Sequence, residues 1–85
     1  MKIFYTKKFE REYKKINIEI KKRFELTEKT FRKNPFDKKL KTHKLSGDLS
    51  DFWSYSLDFK NRVIFEILKE DEIIFHSIGN HDIYK

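Results

Sequence analysis

The apolar residues at the start of the chain first form a short run and then recur with helical spacing. Lys2–Tyr5 is a mostly apolar run that predicts a first strand, and Thr6 after it suits the N-cap of a helix. Phe9, Tyr13 and Ile16 follow at i, i+4 and i+7, which places them on one face of a helix of about ten residues.

A second helical pattern follows directly. Asn17 suits a break or cap, and Ile20, Phe24 and Phe31 share one face of the next helix, with lysines around the rest of it. This helix should end before Pro35, because the residue preceding a proline is pushed out of the α region. We expect the two helices to form an antiparallel hairpin.

The second half of the chain has the composition and alternation of strands. Residues 36–51 read as a basic loop, and three apolar runs follow it: FWSYSLD (52–58), RVIFEIL (62–68) and EIIFHSIG (72–79). The polar residues 69–72 predict a hairpin turn. The order is therefore β-α-α-β-β-β, an α+β fold with the helix hairpin on one face of a small antiparallel sheet.

The register of the last hairpin decides which side chains share a face. A symmetric turn between Glu70 and Asp71 pairs Phe65 with His76 and Arg62 with Gly79. The face under the helices then carries the following residues: Val63, Phe65, Ile67, Ile74, His76 and Ile78. The open face carries Arg62, Ile64, Glu66, Phe75 and Ser77, with His81 if the strand direction persists. Arg62 and His81 would be diagonal neighbours, roughly 7–8 Å apart between backbones.

The preceding strand has an aromatic face and a serine face. Trp53, Tyr55 and Leu57 alternate with Ser54 and Ser56. A two-residue turn after this strand would put the aromatic residues on the open face, whereas a three-residue loop would bury them and expose the serines. We favour the three-residue loop, because it buries far more apolar surface.

Length and composition limit the class of protein. The 85 residues allow one domain, residues 1–85, and the nine Phe, four Tyr and one Trp argue against disorder. No cysteine is present, which excludes disulfides and a thiol nucleophile. No run approaches the roughly 20 apolar residues of a membrane-spanning helix, and MKIFYTKKF lacks the apolar stretch of a signal peptide. We therefore expect a cytoplasmic protein without membrane contacts.

The net charge of +6 is unevenly distributed. Residues 1–45 have a balance of +10, and residues 46–85 have a balance of −4. Such asymmetry indicates a nucleic acid or an acidic protein as the partner, although a solvated surface of lysine-rich helices explains a charge run equally well.

Three histidines are candidates for chemistry. His76 pairs with Phe65 on the apolar face, which favours a packed structural residue, whereas His43 in the basic loop is equally well a surface residue or a phosphate contact. His81, near Arg62, is the sharpest candidate. An arginine beside a histidine suits RNA cleavage by transesterification, in which the 2′-hydroxyl is the nucleophile. Three isolated histidines without cysteine indicate neither a metal nor another cofactor.

Four segments in order resemble the RelE/YoeB/YafQ superfamily of bacterial toxins: HKLSG (43–47), FWSYSL (52–57), NRVIFEI (61–67) and IGNHDIY (78–84). The N-terminal strand and the two basic helices ending in NP are similar too. The resemblance implies a β-α-α-β-β-β toxin that cleaves mRNA, on the ribosome or free. It also implies an acidic antitoxin that wraps the toxin in a hetero-oligomer.

The resemblance implies roles for individual residues. Arg62 matches the arginine that stabilises the transition state, His81 the C-terminal acid or base, and His43 the loop histidine of YafQ-like members. Tyr84 falls near the terminal aromatic residue that stacks on a base or helps protonate the leaving group. The residues expected to contact RNA are Lys38, Lys39, Lys41, Lys44, Ser54 and Ser56.

The chain departs from the superfamily pattern in several places. Ser54 and Ser56 stand where RelE has catalytic lysines, and Lys39 stands where YoeB has a glutamate base. The tail is one residue shorter between His81 and Tyr84 than is typical. The nearest mechanistic relative is therefore YafQ-like, with His43 and His81 as the acid–base pair. The alternatives are a ParE-like toxin that poisons DNA gyrase and a non-catalytic RNA-binding homologue.

Overall fold

A computed structural model describes residues 1–80 and residue 83. Two helices and five strands follow one another along the chain: β1 (Lys2–Tyr5), α1 (Lys7–Lys15), α2 (Ile18–Lys33), β2 (His43–Lys44), β3 (Trp53–Ser56), β4 (Arg62–Lys69) and β5 (Glu72–Gly79). Single 3-10 turns lie at Lys38–Leu40 and Gly47–Leu49. The predicted α+β class and the predicted element order are confirmed, with β2 added inside the segment expected to be a loop.

The helix boundaries follow from the capping residues in the sequence. The Thr6 side chain accepts a hydrogen bond from the Phe9 backbone N–H at 3.0 Å and caps α1. Asn17 caps α2 in the same way, accepting from the Ile20 N–H at 2.9 Å. Both predicted caps are confirmed, and α2 ends before Pro35 as predicted.

The sheet is mixed, with strand order β1-β5-β4-β3-β2. β1 pairs in parallel with β5, and the other neighbours are antiparallel. The expected all-antiparallel sheet is therefore wrong at β1. The chain between β1 and β5 is long and includes both helices, which allows the crossover that a parallel pair needs.

Helix α1 covers the part of β5 that β1 does not reach. β1 pairs with β5 only as far as Phe75. Beyond that point the Thr6 hydroxyl donates to the His76 carbonyl at 3.0 Å. A Glu12 carboxylate oxygen accepts from the Ser77 hydroxyl at 2.7 Å and from the Ile78 N–H at 3.2 Å. These side chains satisfy strand groups that would otherwise lack partners.

The core between the helices and the sheet is built of aromatic rings. Phe31 of α2 lies 4.9 Å from Phe65 and 5.1 Å from Phe75 between ring centroids, both edge to face. Phe9 and Phe24 bring the two helices into contact, with their ring centroids 5.5 Å apart. All five rings are buried. Edge-to-face packing of this kind adds stabilisation beyond the buried area.

The register of the β4–β5 hairpin is as predicted at both ends and wrong in the middle. Arg62 pairs with Gly79 as predicted, but Phe65 pairs with Phe75 instead of His76. The register shifts between Ile64 and Phe65 and again beyond Ile67, so β5 has an extra residue at His76 and β4 one at Leu68. One extra residue moves the side chains beyond it to the opposite face. Phe75 therefore lies in the core, and the expected core position of His76 is wrong.

The arrangement of β3 is also partly as expected. Tyr55 and Leu57 are buried in the core, as predicted. The loop after β3 spans residues 57–61, since Ser56 pairs with Arg62, so the expected three-residue loop is wrong. Ser54 is fully buried instead of exposed. Its partner on β4, Ile64, lines a cavity with Leu49 and Phe52, because residues 47–52 fold back over this part of the sheet.

Candidate nucleic-acid interface

Four cationic side chains from three parts of the chain line one cleft at the end of the sheet. The cleft has a volume of about 400 Å³. Its lining residues are Arg23 of α2, Lys39 and Lys41 around the first 3-10 turn, Ser56, Leu57, Asp58 and Phe59 from the end of β3 and its loop, and Arg62 of β4. Among the lining residues from the described part of the chain, Asp58 is the single carboxylate. The cleft therefore suits an anion such as a phosphate.

Arg62 is held by the loop that precedes it. Its Nη1 atom donates to the Asp58 carbonyl at 2.6 Å and to the Asn61 carbonyl at 3.1 Å. Among residues 1–80 no carboxylate lies within 4 Å of its guanidinium as a salt-bridge partner. The side chain is half-buried, so it is positioned without being neutralised. A guanidinium fixed in this way offers its remaining donors to a phosphate.

Asp58 closes the loop and is itself ionised. Its Oδ1 atom accepts from the backbone N–H groups of Lys60 at 2.9 Å and of Asn61 at 2.7 Å. Partial burial would raise the pKa of Asp58. The hydrogen bonds from Asn61 and Lys60 and the positive charge of Arg23 outweigh that effect and lower the pKa below its usual value. The carboxylate is thus engaged within the loop.

His43 lies on the same sheet face as Arg62. It pairs with Ser54, Ser56 pairs with Arg62, and residues two apart on a strand share a face. Two strand spacings and two residues of rise separate His43 from Arg62, or about 12 Å between Cα atoms. The His43 and Arg62 side chains can therefore both contact an oligonucleotide that lies between them.

The hydrogen bonding of His43 fixes its tautomer. Nδ1 lies 3.2 Å from the Lys41 carbonyl oxygen, which can only accept, so Nδ1 carries the hydrogen in this contact. Nε2 is then the basic nitrogen of the neutral ring, and the side chain is exposed. Lys41 itself adopts a left-handed backbone with φ of 52°, which turns the chain from the 3-10 turn into β2.

The structure places the residues expected to contact RNA in different environments. Lys39, Lys41 and Ser56 line the cleft with Arg62, and Lys38 is exposed on the same 3-10 turn. Lys44 instead places its Nζ atom 5.9 Å from the centroid of the Trp53 ring. The expected exposure of Ser54 is wrong, because its side chain is fully buried. His81 and Tyr84 lie outside the described residues.

Sequence reasoning missed three residues of this cleft. Arg23 was one of many cations on the polar side of α2, and nothing in its spacing marked it. Asp58 was the last residue of the run FWSYSLD (52–58) that predicted a strand, and Phe59 lay in the unassigned residues after it. The D-x-x-N pattern from Asp58 to Asn61 is a signal for such a turn, since aspartate side chains accept from the backbone two and three residues on.

A second cavity of about 400 Å³ lies on the open face, between α1 and residues 47–52. Most of its surface is apolar and comes from side chains such as Leu49, Phe52, Ile64 and Ile83. The polar residues of its lining are Thr6, Lys8, Asp48, His76 and Ser77. The His76 ring packs edge-on against Phe52, with 4.9 Å between ring centroids, and its Nε2 atom lies 3.0 Å from a Glu66 oxygen. The cavity is therefore an apolar pocket rather than a second cationic cleft.

Two negative findings apply to the described part of the chain. Residues 1–80 and 83 contain no group of three or more His, Asp or Glu side chains arranged to hold a metal ion. Neither α1 nor α2 has the length and apolar character needed to cross a membrane.

Solved structures of bacterial toxins share this fold. A YoeB/ParE toxin from Agrobacterium tumefaciens matches with a TM-score of 0.80 and 16% identity, over 95% of this chain and 99% of that one. YafQ from E. coli matches with a TM-score of 0.81 and 15% identity, over 96% and 94%. The YoeB–YefM complex from Staphylococcus aureus matches with a TM-score of 0.78 and 19% identity, over 95% and 97%.

No protein-family model matches the sequence, and no curated protein matches it at a significant level. At these identities the structural matches establish the fold. The predicted RelE/YoeB/YafQ-like architecture is therefore confirmed.

Proposed function

We propose that this chain is the toxin of a toxin–antitoxin system and that it is an endoribonuclease, an mRNA interferase that cleaves mRNA on the ribosome in the cytoplasm. The observation that carries the proposal is Arg62, held without a carboxylate partner among residues 1–80 in a cleft lined by three further cations. The fold shared with YoeB and YafQ toxins supports the same interpretation.

The proposed chemistry is transesterification at one phosphate. A base removes the proton of the 2′-hydroxyl, whose oxygen attacks the adjacent phosphorus, and an acid protonates the leaving 5′-oxygen. The products are a 2′,3′-cyclic phosphate and a 5′-hydroxyl. Arg62 stabilises the charge that develops on the phosphate oxygens. The exposed Nε2 of His43 suits one proton-transfer role.

The remaining roles rest on the sequence resemblance. We assign the second proton transfer to His81, and we assign Tyr84 to the base or the leaving group beside it. Lys38, Lys39 and Lys41 would contact the mRNA backbone, and Lys44, which lies over the Trp53 ring outside the cleft, would contact ribosomal RNA. The mechanism uses no cofactor.

The proposed protein partner is an acidic cognate antitoxin. The +10 balance of residues 1–45 would attract it, and a solved relative of the same fold is a YoeB–YefM complex. We expect a toxin–antitoxin hetero-oligomer whose formation weakens with added salt and with Lys-to-Glu changes in α1 and α2. A complex that is indifferent to both would contradict this proposal.

A cleavage assay tests the enzymatic proposal directly. Labelled mRNA is incubated with the protein, with and without translating ribosomes, and the new ends are identified chemically. Arg62→Ala, His43→Ala and His81→Ala should each abolish or strongly reduce cleavage. Arg11→Ala, an exposed arginine of α1 outside the cleft, should cleave normally. Thermal unfolding checks that each variant is folded, and intact mRNA under both conditions would overturn the proposal.

The second candidate function is gyrase poisoning by a ParE-like toxin. The structural match to a protein described as a YoeB/ParE toxin supports this second candidate function. Trapped gyrase–DNA complexes in the presence of the protein, together with uncut mRNA, would support this function instead.

A further inference from the structure

Phe59 has the most exposed of the large apolar side chains in the described part of the chain. It is 88% exposed, whereas the exposed apolar residues of α2, Ile18 and Leu26, reach 63%. None of the described aromatic rings packs against it, unlike Phe36, whose ring lies 5.2 Å from the Trp53 ring between centroids. The Phe59 ring is therefore displayed to solvent with both faces available.

The loop that displays Phe59 is braced on both sides. The Asp58 carboxylate accepts the N–H groups of Lys60 and Asn61, which immediately follow the ring. The backbone carbonyl of Asp58, which immediately precedes it, accepts from Arg62 at 2.6 Å. The Leu57 N–H also donates to the Asn61 carbonyl at 2.9 Å across the loop. Phe59 thus projects from an ordered turn, so little entropy is lost when a ligand packs on its ring.

Phe59 also borders the cationic cleft. It lines the same cavity as Arg23, Lys39, Lys41 and Arg62. A cationic groove that follows a backbone, with an aromatic ring beside it on which a base can stack, is the combination that binds single-stranded nucleic acid. An acidic peptide would use the cations, but it would have no need of an exposed ring at the cleft mouth.

We propose that Phe59 is a stacking platform for an unpaired nucleobase next to the phosphate held in the cleft. Its ligand is single-stranded RNA, and this identification rests on the proposed function. The aromatic face contributes affinity for any base, because stacking does not read hydrogen-bonding edges. The cations of the cleft would set the position of the RNA backbone, and Phe59 would hold one neighbouring base outside any duplex or base stack.

The test measures binding of a fluorescein-labelled single-stranded 2′-O-methyl oligonucleotide, which lacks the nucleophile and cannot be cleaved by the proposed mechanism. Phe59→Ala should weaken binding by about tenfold, because stacking on one aromatic ring has about that effect. Phe59→Tyr should retain the affinity, and Phe59→Leu should lose most of it. Leu26→Ala, which removes an exposed apolar side chain from α2, should bind like the unaltered protein.

A matched oligonucleotide with abasic positions separates stacking from charge. The unaltered protein should bind this abasic oligonucleotide more weakly than the intact one. Phe59→Ala should bind it with the same affinity as the unaltered protein, because no base remains to stack. Equal affinity of Phe59→Ala and the unaltered protein for the intact oligonucleotide would overturn the proposal, as would full affinity of Phe59→Leu. Because the probe cannot be cut, Phe59-dependent binding without cleavage of ordinary mRNA would contradict only the enzymatic function. Cleavage with Phe59-independent binding would contradict only the stacking platform.

Discussion

The Nε2 atom of His76 lies 3.0 Å from the Oε1 atom of Glu66, on the sheet face opposite the aromatic core. The contact exists because β5 has one residue more than β4 at this point, so Phe75 and His76 exchange faces relative to a regular ladder. Both side chains remain about one third exposed, at 30% and 32%. The pair is therefore accessible to solvent, and its His76 ring also lines the apolar pocket beside Phe52.

We expect the His76–Glu66 contact to contribute little to stability. Pairs with this degree of exposure are worth about 0–1 kcal/mol. A double-mutant cycle with His76→Ala and Glu66→Gln, followed by urea unfolding, should give a coupling energy below about 1 kcal/mol. A larger coupling would mean that the pair is buried.

The β-bulge at His76 places Phe75 in the core, which predicts a contrast with the exposed Phe59. Phe75 has no exposed surface and Phe59 is 88% exposed, so replacement by alanine should affect stability very differently at the two positions. Phe75→Ala should cost about 3–5 kcal/mol of unfolding free energy, a large part of the stability of a small domain. Phe59→Ala should change it by less than about 0.5 kcal/mol. Urea unfolding of both variants measures the difference, and similar values would contradict the placement of Phe75 in the core.

Local signals in the sequence were sufficient for both helices, for strands β1, β3, β4 and β5, and for their order, whereas β2 was missed. Thr6, Asn17 and Pro35 mark helix boundaries through hydrogen bonds or steric restrictions within a few residues, so a pattern of neighbours reveals them. The turn at Glu70 and Asp71 also lies where the sequence predicted it. Arg62 pairs with Gly79 as expected, because the extra residue in β5 and the extra residue in β4 compensate each other.

The bulges and the covered sheet face depend on distant contacts. The extra residue at His76 moves Phe75 onto Phe31 of α2, and this tertiary packing outweighs regular alternation. Ser54 is buried in a part of the sheet that residues 47–52 fold across, which no spacing in β3 reveals. Arg23 enters the cleft only because α2 runs past the first 3-10 turn. The sequence alone therefore identifies some of the candidate site residues. Only the folded structure shows which of them lie together.

Tyr5 should titrate well above an ordinary tyrosine. Burial, then the hydrogen bond and negative charge of Glu28, raise its pKa to about 12, while Arg32 opposes the shift. The folded state holds the phenolic proton more strongly than the unfolded chain. The resulting stability is therefore complete below about pH 10 and is lost as the pH rises towards 12.

The pKa of Tyr5 is measured from phenolate absorbance during a pH titration. The titration step that is missing in Tyr5→Phe belongs to Tyr5. Glu28→Gln should lower this pKa, because it removes a negative charge, and Arg32→Ala should raise it further. A shift in the same direction for both variants would contradict the assignment of the two charges.

Asp58 should stabilise the loop before Arg62 only while it is ionised. Asp58→Ala removes the acceptor of two backbone N–H groups and should cost about 1 kcal/mol at neutral pH. Because the folded-state pKa is lowered, this stability is present above the unfolded value of about 4 and is lost as the pH falls through the folded value. Urea unfolding of the variant and the unaltered protein should therefore converge in acid. A constant difference across this range would mean that the carboxylate charge is irrelevant.

The lysines around the 3-10 turn should differ in their contribution to RNA binding. Lys39 and Lys41 line the cleft with Arg62, whereas Lys44 lies over the Trp53 ring. Each phosphate contact to single-stranded nucleic acid contributes about 0.7 to the slope of log affinity against log salt concentration. Lys39→Ala and Lys41→Ala should each reduce the slope by about that amount, and Lys44→Ala should leave it nearly unchanged. Affinities for a single-stranded oligonucleotide, measured over a range of salt concentrations, give the slopes. An equal reduction in Lys44→Ala would show that bound RNA extends beyond the cleft and across Trp53.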